Sequence, residues 1–385
     1  MFQRLFNLPE NSSCILFGAR GTGKSTLLRT TLSPDTTQVY NLLEPDTEDR
    51  LARDPRALER EVLALPPALS HVVVDEVQKL PRLLDVVHNL METHRVPQRF
   101  ILTGSSARKL TAGGANLLAG RAALRHLFPL QRRELGAAYD EARALRFGGL
   151  PAVWNADTDA ERADFLRAYA HGYLREEIQA EQVVRNLNPF RRFLEVAAQN
   201  SGKILNHARL AREVGSDPKT IQAWYGVLED TLLGFHVDGY HPSVRKQLRQ
   251  APKFYLFDTG VLRALGRMLQ VPPMPGTSYF GELFENQVVS EVFARNAYEQ
   301  LDWQLAYLRT KAGREVDLVI QRPGRPLALV EIKSTDRIRD DHATVLRAFL
   351  PDFPGAEAFL WSRDPHPQRL GPVLALPWQE GLLAL

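Results

Sequence analysis

Cysteine is almost missing from this chain. One residue, Cys14, in 385 excludes a disulfide framework and any cysteine-based zinc site. Its place in an apolar run marks it as a small buried hydrophobe. Long apolar runs are lacking too. No stretch of about 18 such residues occurs, so no membrane span and no membrane partner are expected. The N-terminus Met1-Phe2-Gln3-Arg4-Leu5-Phe6 runs into Asn7 and Pro9 without the apolar core of a signal peptide, and a cytoplasmic location is expected. Neither charge sign dominates: 48 Lys and Arg against 45 Asp and Glu leave +3. That balance neither demands nor excludes nucleic acid, so any DNA-binding surface must come from local clustering. There is no repeat and no low-complexity run. A chain of 385 residues is too long for one ordinary core, and two or three domains are expected.

What is present begins with Gly18-Ala19-Arg20-Gly21-Thr22-Gly23-Lys24-Ser25. It reads G-x-x-x-x-G-K-S, after the apolar run Cys14 to Phe17 and before a helix-compatible segment from Thr26. Such a loop curls backbone N–H groups round an anion at a helix N-terminus. Gly18, Gly21, Thr22, Gly23, Lys24, Ser25 and Thr26 are the candidate ATP contacts. Lys24 is to reach the β- and γ-phosphates and the Ser25 hydroxyl to ligate Mg²⁺. Gln38 to Leu42 reads as a second strand, and Thr47 to Leu65 as a helix stopped by Pro66-Pro67. His71-Val72-Val73-Val74-Asp75-Glu76 reads as a buried parallel strand with acids at its C-terminal end. Ligands bind at that edge of open α/β sheets. Asp75 is placed to hold the Mg²⁺ hydration shell and Glu76 to polarise the attacking water. A further strand runs from Arg99 into Gly104-Ser105-Ser106. Thr103 and Ser105 are both candidates to touch the γ-phosphate or the water, and helix capping is the structural alternative.

Together the phosphate loop, Val72 to Gln78 and Ile101 to Ser106 resemble the AAA-type P-loop ATPases of bacteria and archaea. The similarity is strongest to a prokaryotic family whose ATPase module precedes a C-terminal region long labelled as of unknown function. Leu117-Leu118-Ala119-Gly120-Arg121 and Phe128-Pro129-Leu130 resemble the same family. The resemblance makes Arg121 a candidate to supply positive charge to the transferring phosphate, in cis or to a neighbour. A surface ion pair is the alternative.

Phe147-Gly148-Gly149-Leu150-Pro151 marks a break and also resembles the family pattern. Asp157 to Gln182 is helical in composition, and a further helix covers Phe190 to Gln199. Leu205 to Gly215 and Asp217 to Asp230 read as two helices joined by a tight turn, with Ser216 or Asp217 and Pro218 as start signal. With Leu232 to Val237 as a strand they suggest a winged helix-turn-helix. Arg245, Lys246, Arg249 and Lys253 gather near the wing and can grip DNA phosphates. Protein docking, or service as a spacer, is the alternative. Asp258, in Phe254 to Val261, is expected to cap the next helix.

Val271 to Gly276 reads as linker. Gly281 to Phe293 is an amphipathic helix bearing Glu285. Strands are expected over Trp303 to Leu308, Glu315 to Ile320 and Leu327 to Lys333, the last two forming a hairpin. Glu331 and Lys333 share a face, with Asp317 beside them. A divalent cation at Asp317 and Glu331 relieves the charge strain, and Lys333 can orient water or stabilise phosphate charge. Trp361 and Trp378 read as structural. The pattern resembles the PD-(D/E)XK nuclease superfamily, with Val316 where the motif's proline stands. The resemblance implies Mg²⁺ or Mn²⁺ on Asp317 and Glu331, Lys333 as catalytic lysine and Glu285 as helix-borne acid. A surface Glu-Lys ladder, or a nuclease fold kept for DNA binding, are the alternatives.

The expected architecture is α/β: an AAA-type P-loop NTPase domain over 1–145, an α-rich helical linker and winged-helix domain over 146–270, and an α/β PD-(D/E)XK nuclease-like domain over 271–385. The expected function is ATP hydrolysis coupled to a metal-dependent DNA nuclease in DNA processing, repair or defence. The alternative is an ATP-dependent DNA- or protein-binding switch that does not cleave. Assembly into an oligomer is left open.

Overall fold

The computed structural model describes residues 2–106, 118, 120–173, 187–242 and 250–385. They form two compact units: Met1–Gly136 with Asp230–Leu233, and Ala137–Glu229 with Gly234–Leu385.

The first unit is built on β1 (Ser13–Phe17), β2 (Thr37–Asn41), β3 (His71–Asp75), β4 (Arg99–Gly104) and β5 (Ala122–His126). All pair in parallel, in the order β2-β3-β4-β1-β5. Strands covered on both faces need apolar residues throughout. Ile15, Phe17, Val72, Val74, Phe100 and Leu102 accordingly enter the core. Cys14 is buried as expected, its thiol pushed up to about 12 by desolvation. The unit's helices include α1 (Lys24–Thr31), α2 (Pro45–Arg53), α3 (Arg56–Leu63) and α4 (Leu83–Glu92). One helix was expected over Thr47 to Leu65, but α2 and α3 divide it. Pro55 has no N–H to continue the ladder, and the Asp54 carboxylate takes the Arg56 N–H at 3.1 Å instead.

The second unit holds an eight-stranded mixed sheet. Its strands are β6 (Gly234–Gly239), β7 (Lys253–Leu256), β8 (Gln304–Arg309), β9 (Glu315–Gln321), β10 (Ala328–Lys333), β11 (Glu357–Ser362), β12 (Gln368–Leu370) and β13 (Val373–Pro377). The order is β12-β13-β11-β10-β9-β8-β6-β7. The β9–β10 hairpin forms as expected, and Trp361 and Trp378 are fully buried. Helices here include α5 (Glu141–Phe147), α6 (Asp159–Ala168), α7 (Leu187–Gln199), α8 (His207–Val214), α9 (Pro218–Asp230), α10 (Thr259–Leu265) and α11 (Ser278–Glu299). Residues 174–182 of the expected helix Asp157 to Gln182 lie outside the described residues.

The turn between α8 and α9 is tight. Gly215 sits at φ 75°, and Asp217 accepts the N–H groups of Lys219 and Thr220, both at 3.0 Å. The strand expected to edge a free wing does not stand apart. β6 pairs antiparallel with β7, and its end joins β8 in parallel at Asp238↔Ala306 and Gly239↔Tyr307. Segments expected in two separate domains thus share one sheet. α11 packs on β7 and β10, which carries its acid towards the strands. No helix among the described residues is long and apolar enough to cross a membrane.

Candidate functional site

Strand order builds the first centre. β4 lies between β1 and β3, with Leu16 opposite Thr103 and Val74 opposite Leu102. The phosphate loop, Asp75 and Thr103 therefore emerge along one sheet edge. In the loop, Gly21 and Gly23 adopt φ 78° and 95°, a left-handed backbone that glycine tolerates. A Cβ on Gly18 would stand 2.6 Å from the Leu127 carbonyl, so only glycine fits there. Lys24 donates to the Gly18 carbonyl at 2.7 Å and lies 3.7 Å from Glu76. Ser25 donates to Asp75 at 2.7 Å. Thr103 donates to the other Asp75 oxygen and accepts the Glu76 N–H at 3.0 Å. Ser105 donates to Glu76 at 3.3 Å and accepts from Gln78 at 2.9 Å. Both hydroxyl candidates thus reach the acids: Thr103 serves Asp75, and Ser105 serves Glu76. Glu76 itself sits at φ 60°, a strained backbone of the kind that collects at functional sites. Thr26 is exposed on the first turn of α1. The glycine cradle, the lysine and the Ser25–Asp75 pair fit a nucleotide triphosphate with its magnesium ion.

A second centre lies in the other unit. The β9–β10 register, with Val330 opposite Leu318, brings Asp317 opposite Glu331. Asp317 accepts the Ile332 N–H at 2.7 Å, and Lys333 donates to Glu331 at 2.5 Å. The other Glu331 carboxylate oxygen is buried and has no hydrogen-bond partner among the described residues. Burial pushes the Asp317 carboxyl well above its usual range, and Glu331 and Glu285 push it further. Burial also raises Glu331, against the pull of Lys333. Burial pulls the Lys333 ammonium down, but Glu331 and Asp317 more than offset it, leaving it raised. An orphaned oxygen beside a second crowded carboxylate fits a divalent cation. Glu285 does not complete the set. It accepts from Tyr255 at 2.7 Å and Lys253 at 3.2 Å, and among the described residues no three acidic, His or Cys side chains converge on one ion position. One oxygen of the expected helix-borne acid is engaged by an ammonium and a phenol.

Residues 10–136 match the family model described as "AAA domain". The first unit carries this AAA-domain match. It agrees with the parallel sheet and the loop, and it points to ATP binding. Residues 139–272 match "Domain of unknown function (DUF8612)", and residues 280–380 match "Domain of unknown function (DUF4143)". The sheet of the second unit draws strands from both of these regions. The chain is 29% identical over 326 residues to the uncharacterized protein Rv2008c of Mycobacterium tuberculosis, covering 83% of this chain and 70% of that one. It matches the uncharacterized protein Mb2031c of Mycobacterium bovis to the same extent. An uncharacterized protein of Haemophilus influenzae is 23% identical over 309 residues, 73% of this chain and 74% of that one.

Two expected cations are placed otherwise. Arg121 precedes Ala122, which pairs with Ser13 at the start of β1, whereas the phosphate loop of the AAA-domain match follows the end of that strand. The guanidinium is bound to Glu92, so a role in cis is corrected: strand direction sets it at the far edge of the sheet. Lys253, expected to face DNA at the wing, is 3% exposed and paired with Glu285 and Glu315. A buried, neutralised ammonium cannot meet a phosphate in solution. Arg245, Lys246 and Arg249, like Leu117 and Ala119 of the Gly120-Arg121 motif, lie outside the described residues.

Sequence reasoning missed several groups. Arg4 donates to the Thr22 carbonyl at 2.7 Å and the Phe128 carbonyl at 2.6 Å, and pairs with Glu134 at 2.9 Å. It braces the loop from 18 residues away, and nothing local announces it. Tyr255 was legible, because Lys253 and Tyr255 are two apart in a strand and share a face.

Proposed function

We propose that the protein hydrolyses ATP at the Gly18 to Ser25 loop and couples this to a metal-dependent phosphodiester-cleaving centre at Asp317, Glu331 and Lys333, with DNA as substrate. The nucleotide half is supported by the AAA-domain match and by the Ser25–Asp75–Thr103 chain. Magnesium bound with the nucleotide supplies charge for the β- and γ-oxygens. Lys24 exchanges the Gly18 carbonyl for phosphate oxygen. Thr103 orients Asp75, and Glu76 accepts a proton from the attacking water. Expected turnover in Lys24→Ala and Glu76→Gln is at least about a hundredfold below wild type. Unchanged hydrolysis in Lys24→Ala removes this assignment.

The nuclease half rests on one observation: the orphaned, buried Glu331 oxygen beside Asp317. A divalent cation held there supplies Lewis-acid polarisation and an acidified water. Lys333 places its ammonium where charge grows on a phosphate oxygen. Wild type is expected to cut plasmid or oligonucleotide DNA with Mg²⁺ or Mn²⁺, and Asp317→Asn and Lys333→Ala to lose the activity. No cutting of any DNA form by wild type eliminates the nuclease reading.

A second reading is a switch that binds DNA or protein without cleavage. The Lys253 ammonium among the carboxylates favours it, because an internal cation already balances part of their charge. Under that reading ATP-dependent binding persists in Asp317→Asn while no DNA is cut.

A further inference from the structure

Lys253 comes from β7, at one margin of the sheet, yet its ammonium reaches acids from two other elements. It lies 3.2 Å from Glu285 on α11 and 2.7 Å from Glu315 on β9. The Tyr255 hydroxyl donates to the same Glu285 oxygen at 2.7 Å. Two donors thus hold one oxygen of one carboxylate. Meanwhile Glu331, 3% exposed, keeps an oxygen with no partner among the described residues, and Asp317 feels Glu285, Glu331, Lys253 and Lys333 together. A buried lysine needs counter-charge, but that need is met by Glu315 at the shorter distance. The grip on Glu285 is in addition, and it comes from a strand whose alternation turns both Lys253 and Tyr255 to that carboxylate.

We propose that Lys253 and Tyr255 form an internal clamp that holds Glu285 off the metal position, so that a divalent cation is bound weakly, through Asp317 and Glu331 alone, until Glu285 is released as a third carboxylate ligand. The inference rests on the metal-site reading above and adds to it the residues that set its affinity. Loss of the clamp removes a competing positive charge and frees a hard oxygen ligand. Both changes favour a cation in a poorly screened site.

The test is Mn²⁺ affinity of the nucleotide-free full chain, read by calorimetry and by the electron paramagnetic resonance of free Mn²⁺, counting only binding abolished by Asp317→Asn. Lys253→Met is expected to tighten binding about tenfold. Tyr255→Phe keeps the ring and removes one donor, so it is expected to tighten binding about threefold even if Lys253→Met fails to fold. Adding Glu285→Gln should erase either gain. Unchanged or weaker affinity in both clamp variants overturns the clamp, as does a gain that survives Glu285→Gln. Both results leave the metal site standing. If no variant shows Mn²⁺ binding sensitive to Asp317→Asn, the metal-site reading falls, and the clamp with it.

Discussion

Arg4 reaches the Thr22 carbonyl, the Phe128 carbonyl and Glu134 with one guanidinium. Glu134 also takes the N–H groups of Leu5 and Gln131, so the first unit's N-terminal segment is fixed on one buried anion and ties the loop to it through Arg4. Arg4→Ala leaves that carboxylate without its cation, and the expected loss is about 3 kcal/mol, read by denaturant unfolding. ATP affinity should fall with it, because the Thr22 carbonyl loses its anchor. Thr103 and Ser105 looked equivalent from the sequence, but they touch different acids. Thr103→Val cuts the link from Asp75 to the Glu76 backbone and should lower turnover more than Ser105→Ala, by roughly tenfold or more. Steady-state hydrolysis by the two variants checks the order. Equal losses would mean that the Asp75 link carries no special weight.

Among the elements, the joint between α5 and α10 has the clearest chemistry. Phe147-Gly148-Gly149 and Phe257-Asp258-Thr259-Gly260 meet there. A Cβ on Gly148 would fall 2.1 Å from the Asp258 carboxylate, and one on Gly260 would fall 2.0 Å from the Phe147 carbonyl. Asp258 caps α10 by accepting the Val261 N–H at 2.9 Å, as expected, and also accepts the Gly149 N–H at 2.6 Å. Burial nevertheless raises it to about 6. An acid raised on folding favours the folded state below its unfolded value near 4, and that advantage is lost as pH climbs through about 6. The stability of wild type relative to Asp258→Asn should therefore fall by roughly 2.5 kcal/mol between pH 4 and pH 7. Urea unfolding of both proteins at several pH values measures it, and a pH-independent difference would show that the carboxyl does not titrate in this window. α8 and α9 are two helices joined by a tight turn. On α9, Ile221, Trp224, Tyr225 and Leu228 are buried, while Lys219, Gln222 and Ala223 are exposed. That outward face is modest in charge, so DNA contact through it needs support from other segments.

At the level of the molecule, two compact units predict that unfolding is not a single two-state step. ATP with Mg²⁺ should raise one thermal transition and Mn²⁺ the other, since a ligand stabilises the unit it binds. Lys24→Ala should cancel the first shift and Asp317→Asn the second. Calorimetry resolves the two, and one common shift with either ligand would show that the units melt together. If DNA is the partner, its affinity should fall steeply with salt through counterion release. A flat response points to a protein instead.

The one-dimensional pattern was enough for the nucleotide centre. Its glycine loop, the lysine and the acids at a strand end work through local backbone geometry and strand direction, which neighbouring residues carry. The same holds for the β9–β10 hairpin, where period-2 alternation and a Pro/Gly turn set Asp317 against Glu331 and Lys333. Tertiary structure decided the rest. Strand order gave Thr103 to Asp75 and Ser105 to Glu76 and sent Arg121 to the far edge. Burial turned Lys253 from an expected DNA contact into a counter-ion for Glu285 and Glu315, and drew the expected wing strand into an eight-stranded sheet. Those outcomes depend on which elements become neighbours. A charge acquires its partner only when distant segments are packed together and water is removed between them.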